Sequence, residues 1–174
     1  MARPVHLVTR FFGSLRPGGP RSADREWAEA QLLPAELELW RRMSGPDRRH
    51  SAGVARRVER ALGEKATRPV LAAALLHDVG KLDARLGVFG RVAATVAGAT
   101  AGHGMADAWS EKRGMTRRFG LYLRHPELGA SRIRMCEGSR EAAVWAEAHQ
   151  DPDRYAQTGI PPIVVDALAA ADDD

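Results

Sequence analysis

A histidine and an aspartate stand side by side where the most apolar segment of the 174-residue chain ends. Residues 70–76 contain no polar side chain, and they run directly into His77 and Asp78, which Gly80 and Lys81 follow. A charge that is buried without a partner costs several kcal/mol, so both side chains need a compensating group. Imidazole and carboxylate are both ligands of divalent transition metals, and a helix break at Gly80 gives the backbone room to place them around one ion. The dipeptide therefore predicts a metal site.

Three further histidines and a late aspartate offer the same ligand types. His50 lies on the apolar side of a predicted helix, His125 begins a helical segment and His149 ends one. Asp172 shares with Leu168 the face of the last helix that is expected to point inward. A single histidine on an apolar face is more often a core residue than a ligand, so these residues gain their meaning from the pair at 77–78. The remaining histidines, His6 and His103, are expected in solvated loops.

The order of these residues resembles that of the HD superfamily of metal-dependent phosphohydrolases. The match consists of His50, the segment LLHDVGK at 75–81, His125, His149 and an aspartate near the end, and it covers roughly residues 44–174. The resemblance implies an all-α fold, an HD-domain helical bundle. It also implies an enzyme that cleaves a nucleotide or another small phosphoester with a metal-activated water.

The resemblance implies roles for individual residues. A first ion would be held by His50, His77, Asp78 and Asp172. In the two-metal members the aspartate also binds a second ion, which here would be held by Asp78, His125 and His149. The expected metal is Fe, Mn, Co, Ni or Zn, as one or two ions. Asp78 and Lys81 are the expected catalytic residues, and Lys81, Arg49 and Arg124, with Arg48 as a further candidate, are expected to bind the substrate phosphate.

Four aspartates compete for the position of the last ligand: Asp166, Asp172, Asp173 and Asp174. Asp166 lies near the start of the predicted helix, where a carboxylate stabilises the helix dipole. Aspartates at the other end oppose the dipole by about 0.3–1 kcal/mol each, and a cation beside one of them would offset this cost. In the family the ligand follows a proline by some ten residues, which implies Asp172.

The chain also departs from the subfamily of HD proteins that cleaves cyclic dinucleotides and carries a Gly-Tyr-Pro motif. Here His149 is followed by Gln150 and Asp151, and Tyr155 stands where that loop would be. Cyclic dinucleotides are therefore not the expected substrates, and a centre with one ion and a centre with two both remain open.

The pattern of apolar residues predicts helices almost throughout, and no alternation typical of a strand persists for five residues. Residues 1–43 are interpreted as an N-terminal arm with packing helices and residues 44–174 as the HD domain. The least regular stretch is 98–120, which contains five glycines. A flexible lid over the site and a loose connection both fit this stretch, and the loose connection is the favoured interpretation. The predicted helices cover 23–32, 34–43, 48–62, 68–77, 88–98, 126–137, 139–149 and 162–174.

The composition of the chain limits the classes of partner that it is expected to bind. The net charge is +4, but residues 137–174 carry −7 and the first 136 residues +11. The chain has no run of five or more basic residues and no basic stripe interleaved with aromatic residues, so a nucleic-acid partner is not expected. The four tryptophans are expected in packing. The longest apolar run is far shorter than the roughly 20 residues of a membrane helix, and the single cysteine, Cys136, suits a reducing compartment. The expectation is a cytoplasmic protein without a membrane partner that binds a small phosphorylated substrate; the sequence does not indicate its oligomeric state.

Two other functions fit the same residues. A non-enzymatic module with the HD fold would bind a ligand or a partner, and its only support is the basic charge of the first 136 residues. A di-iron oxygenase shares the order of the six ligands, as in the inositol oxygenase branch of the superfamily. Salt-dependent binding that chelators leave unchanged would favour the first, and dioxygen consumption at redox-active iron would favour the second.

Overall fold

A computed structural model describes residues 18–101 and 104–173 of the chain. The described residues form eleven α-helices and two short 3₁₀ helices, with no β-strand, so the prediction of an all-α fold is confirmed. His6, His103, Asp174 and the part of the predicted arm before Gly18 lie outside the described residues. The helices are α1 (Ser22–Ala30), α2 (Pro34–Arg42), α3 (Gly45–Leu62), α4 (Arg68–Leu76), α5 (Lys81–Ala84), α6 (Val88–Ala101), α7 (Met105–Ser110), α8 (Gly114–Leu123), α9 (His125–Met135), α10 (Arg140–Ala148) and α11 (Pro162–Asp173), with 3₁₀ turns at Gly63–Lys65 and Pro152–Gln157.

Helix α4 is the centre of the fold because its residues are apolar on every side. All residues from Val70 to Leu76 are buried, and α4 packs against α2, α3 and α10. Trp40 and Trp145 are fully buried in the same core, as expected for packing tryptophans. Burying such a helix removes several large aliphatic side chains from water at about 25 cal/mol per Å² of apolar surface. The polar residues that follow α4 are therefore carried into the interior.

The two N-terminal helices belong to this core. α1 packs on α3 and α2 packs on α4, and Leu39 lies in the same hydrophobic cluster as Leu75. The buried Glu36 carboxylate accepts hydrogen bonds from the Ser139 backbone N–H and hydroxyl, both at 2.7 Å. A boundary between residues 43 and 44 stays a prediction, since this packing joins the two segments without showing whether either folds alone.

The stretch 98–120 is more regular than its glycines predict. It contains the end of α6, all of α7 and most of α8. Gly114 begins α8 at a φ of +63°, which favours glycine, and a Cβ on Gly120 would lie 2.3 Å from the Ser110 nitrogen. The glycines therefore start a helix and allow two helices to pack closely, which are uses that a local pattern does not distinguish from a loose connection.

A close backbone contact fixes the end of α4 against the start of α9. A Cβ on Gly80 would lie 1.9 Å from the carbonyl oxygen of His125 and 2.6 Å from the Gly129 nitrogen. Only a glycine permits this approach. The contact holds the turn containing His77 and Asp78 against the first turn of α9.

Among the described residues, no helix combines the length and the apolar character that crossing a membrane requires.

Candidate metal centre

The structure brings together all six residues that the sequence predicted as metal ligands. They come from α3, the turn after α4, the start of α9, the end of α10 and the last turns of α11: His50, His77, Asp78, His125, His149 and Asp172. Two overlapping groups share Asp78, and within each group the ligand atoms lie within 4.8 Å of one another. The first group is His50, His77 and Asp78, and the second is Asp78, His125 and His149.

The Asp78 carboxylate lies at the centre of the cluster. Its Oδ2 is 3.4 Å from His77 Nε2, and its Oδ1 is 3.4 Å from His125 Nε2 and 3.7 Å from His149 Nε2. Asp78 and the three imidazoles are all buried. One carboxylate thus offers both oxygens to two groups of imidazoles, which is the arrangement of a bridging ligand.

Backbone carbonyls orient the three buried imidazoles. His77 Nδ1 donates to the Ala74 carbonyl at 2.9 Å, and the other two rings do the same to the carbonyl three residues earlier, at 2.7 Å for His125 and 2.8 Å for His149. Because a carbonyl only accepts, the proton lies on Nδ1 in each ring, which is how metal-binding histidines are commonly oriented.

The Nε2 atoms on the other side of these rings have no hydrogen-bond partner among the described residues. This holds for His77, His125 and His149, and all three atoms are buried. Buried polar atoms in native proteins are normally satisfied, and three orphans facing one carboxylate point to a missing partner. The donor set of imidazoles and carboxylates fits a divalent transition metal.

Asp172 completes the first group from α11. Its Oδ1 is 2.9 Å from His50 Nε2 and 3.5 Å from His77 Nε2. Asp166 and Asp173 on the same helix are exposed, so among the described aspartates of α11 only Asp172 faces the cluster. The inward face that the sequence predicted for this helix is the face observed.

The charges in the cluster shift the pKa values of its members. Burial alone would lower the pKa of His77, but Asp78 and Asp172 raise it to about 10. Burial lowers the pKa of His125 to about 4. Burial would raise the pKa of Asp78, yet Lys81 and His77 hold it well below its usual range. When no metal ion is bound, the carboxylates therefore keep their negative charge. A proton on His77 then supplies part of the positive charge that a metal ion would bring.

Lys81 lies beside Asp78 and borders a cavity of about 270 Å³. Its Nζ donates to Asp78 Oδ2 at 2.5 Å. Burial opposes the charge of Lys81, but Asp78 raises its pKa, so the side chain remains a cation. A cation that adjoins both Asp78 and open space is suitably placed to meet an anion.

Sequence reasoning missed an ion pair on the wall of the same cavity. Arg91 binds Asp47 with two hydrogen bonds, at 2.5 and 2.7 Å, and Asp47 also accepts from the Ser44 hydroxyl at 2.6 Å. Both charged residues line the cavity with Asp78 and Lys81. Arg91 lies in a segment of small apolar residues and Asp47 lies 44 positions earlier, so no local signal connects them.

The structure places the other predicted substrate-binding arginines elsewhere. Arg49 donates to the Gly18 carbonyl at 2.6 Å, and Arg124 lies 2.9 Å from Asp107. The Arg48 guanidinium lies over the Trp40 ring at 5.7 Å. None of the three is among the described residues that line the cavity beside Asp78. Their role in substrate binding stays a prediction, and the cations found at the cavity are Arg42, Lys81, Arg85 and Arg91.

Comparisons with family models, with curated proteins and with solved structures gave no match. The chain is thus a helical protein with a buried cluster of histidines and aspartates that could hold one or two metal ions.

Proposed function

We propose that this protein is a metal-dependent phosphohydrolase of the HD superfamily, which cleaves a nucleotide or another small phosphoester with a metal-activated water. The observation that carries the proposal is the convergence of three buried, unpartnered Nε2 atoms on the Asp78 carboxylate. An ordinary core would satisfy or omit these atoms, because each orphaned polar group costs about 1–3 kcal/mol.

The donor geometry supports a centre with room for two ions. His50, His77, Asp78 and Asp172 would hold one ion, and Asp78, His125 and His149 would hold the other. Fe, Mn, Co, Ni and Zn all accept this mixture of imidazole and carboxylate ligands. A divalent ion at this place would polarise a phosphoryl oxygen and lower the pKa of a water molecule.

The residues around the cavity supply the rest of the proposed chemistry. Lys81 offers an ammonium group to a phosphate oxygen at the edge of the centre, where it can stabilise negative charge that develops during hydrolysis. Arg91 and Asp47 form a fixed ion pair in the wall beside Lys81, which holds both side chains in place. A site that neutralises charge and positions its ligand matches what phosphoryl transfer requires, since that reaction depends mainly on these two effects.

The direct test combines metal analysis with hydrolysis of a panel of nucleotides and other small phosphoesters. The purified protein is expected to contain one or two transition-metal ions per chain and to hydrolyse members of the panel until a chelator removes the metal. Asp78→Asn is expected to lose both metal and activity, whereas the matched control Asp166→Asn, at an exposed carboxylate, retains them.

Three outcomes would contradict the proposal. Full metal occupancy with unchanged turnover in Asp78→Asn would exclude the assigned centre. Dioxygen consumption at iron without phosphoester hydrolysis would instead indicate an oxygenase. A metal-independent protein with salt-dependent ligand binding would indicate a non-enzymatic module.

A cytoplasmic location, predicted from the single cysteine, belongs to the same proposal.

A further inference from the structure

A second and larger cavity adjoins the one beside Asp78. It has a volume of about 880 Å³, and three residues, Arg42, Leu82 and Arg85, line both cavities. The first cavity reaches Asp78 and Lys81, so the two together run from the candidate metal centre to the surface formed by α5 and α8. A volume of this size accommodates a small organic ligand.

The charge of this second cavity is strongly one-sided. Five arginines and one aspartate line it, a net charge of +4: Arg42, Arg85, Arg117, Arg118, Arg132 and Asp83. We call this set the arginine basin. Arginines that share one concave surface repel one another, and a cleft lined by one sign of charge concentrates ligands of the other sign. The basin is thus suited to an anion.

Two of the arginines are fixed as walls of the basin. Arg132 forms a two-point ion pair with Asp83, in which Nε donates to Oδ2 at 2.8 Å. Arg118 donates from Nε to the Ala84 carbonyl at 2.9 Å. These contacts hold the guanidinium groups in place without removing the excess positive charge.

The side chains of the other three arginines, Arg42, Arg85 and Arg117, form no hydrogen bond or ion pair with the described part of the chain. All three are exposed at the cavity. Guanidinium groups bind phosphate through two parallel hydrogen bonds, which makes them better suited to this group than an ammonium. Leu82, Leu121 and Leu128 add apolar surface to the lining of the same cavity.

We propose that the arginine basin is a second anion subsite, and that the substrate carries another phosphate group beyond the one placed at the metal centre. The substrate class is a small phosphoester with two separated phosphates and an apolar or flat portion between them, as in a nucleoside bisphosphate. This inference rests on the proposed function for the position of the first phosphate. It adds a specificity that the six metal ligands do not supply.

Phosphonates provide the test because their carbon–phosphorus bonds resist phosphoester hydrolysis. Isothermal titration at fixed ionic strength would compare alkanebisphosphonates of increasing chain length with alkylphosphonates of the same lengths, using the protein as purified. At the chain length that spans both subsites, the bisphosphonate is expected to bind at least about tenfold more tightly, because its second phosphonate would gain charge-assisted hydrogen bonds from the basin.

Arginine variants test whether the tighter binding of the bisphosphonate depends on the arginine basin. Arg117→Gln and Arg85→Gln are each expected to reduce the preference for the bisphosphonate several-fold, and the double variant to abolish it. Arg60→Gln removes the same charge at an exposed position that lines neither cavity, and it is expected to keep the preference. Circular dichroism checks that each variant is folded.

The inference is overturned if no chain length gives the bisphosphonate an advantage, or if the advantage survives in the double variant. These outcomes differ from failure of the proposed function. Metal loading and phosphoester hydrolysis without a bisphosphonate preference would contradict only the basin. An arginine-dependent preference in a protein that hydrolyses no phosphoester would contradict only the proposed enzyme.

Discussion

His50 Nε2 and Asp172 Oδ1 lie 2.9 Å apart, although 122 positions separate the two residues in the chain. The contact joins the second turn of α3 to the last turn of α11, and these helices pack against each other. Asp172 also reaches His77, at 3.5 Å, so it connects His50 to the pair at the end of α4. The first group of candidate ligands therefore depends on how α11 is docked.

This relationship predicts the effect of Asp172→Asn on metal binding. Removal of the carboxylate charge takes a ligand from the first group, so metal affinity is expected to fall by at least about tenfold, the smallest effect usual even for residues that only support a ligand. Mass spectrometry of the metal content after dialysis against a weak chelator would measure the loss. Asp166→Asn and the wild type should retain equal amounts, and equal retention by Asp172→Asn would remove this residue from the centre.

The backbone contact at Gly80 predicts that a methyl group there disturbs the site. In Gly80→Ala the new Cβ would collide with the His125 carbonyl, so the turn after α4 and the start of α9 must separate. The free energy of unfolding is expected to fall by about 1–3 kcal/mol, the usual cost of overpacking, and metal content should fall with it.

Urea denaturation would measure the stability of this variant. Gly104→Ala is the control, because a Cβ there meets no described atom within 4 Å and its φ of −63° suits alanine. Wild-type stability in Gly80→Ala would show that the two backbones are not packed as described.

The Asp47–Arg91 pair predicts a stability difference that depends on pH. Burial opposes the Asp47 charge, but Arg91 and Lys81 lower the pKa of this carboxyl below its ordinary value of 3.8. A carboxyl with a lowered folded-state pKa stabilises the fold above its unfolded-state pKa, and this contribution is lost as the pH falls through the folded value. Asp47→Asn should therefore reduce the free energy of unfolding by about 1–3 kcal/mol at neutral pH.

Urea denaturation of wild type and Asp47→Asn across the acidic range would test this sign. The difference between the two proteins should be constant at neutral pH and shrink as the pH falls below the ordinary carboxyl pKa of 3.8. A difference that grows as the pH falls would contradict the assignment of Asp47 as the charged partner.

Lys81 is expected to serve the substrate rather than the metal. Lys81→Gln should lower the rate of phosphoester hydrolysis by about 10²-fold, the usual effect of losing one group that stabilises developing charge. Metal content should not fall, because Lys81 competes with a metal ion for the Asp78 carboxylate. Steady-state kinetics and metal analysis would measure both effects, with the exposed Lys112→Gln as control. Metal loss in Lys81→Gln would show instead that the lysine supports the centre.

The amino-acid sequence alone determined the fold class and the residues of the candidate centre. Helical periodicity is a local property, and the all-apolar run at 70–76 predicted the buried helix that the structure shows. The six ligand candidates could be identified because their residue types and order resemble a known pattern. Their chemistry was visible in the sequence, although their distances were not.

Tertiary structure alone decided the surroundings of the centre. The glycines at 98–120 looked irregular locally, but Gly114 begins α8 at a positive φ and Gly120 lets the backbone of α7 pack closely against α8. Arg49 and Arg124 were predicted to bind the substrate phosphate, and that role stays a prediction; the arginine that the fold brings to the cavity beside Asp78 is, among others, Arg91. Arginines are frequent along this chain and their long side chains reach in many directions. Which of them converge depends on how distant helices dock, and that information is absent from local sequence.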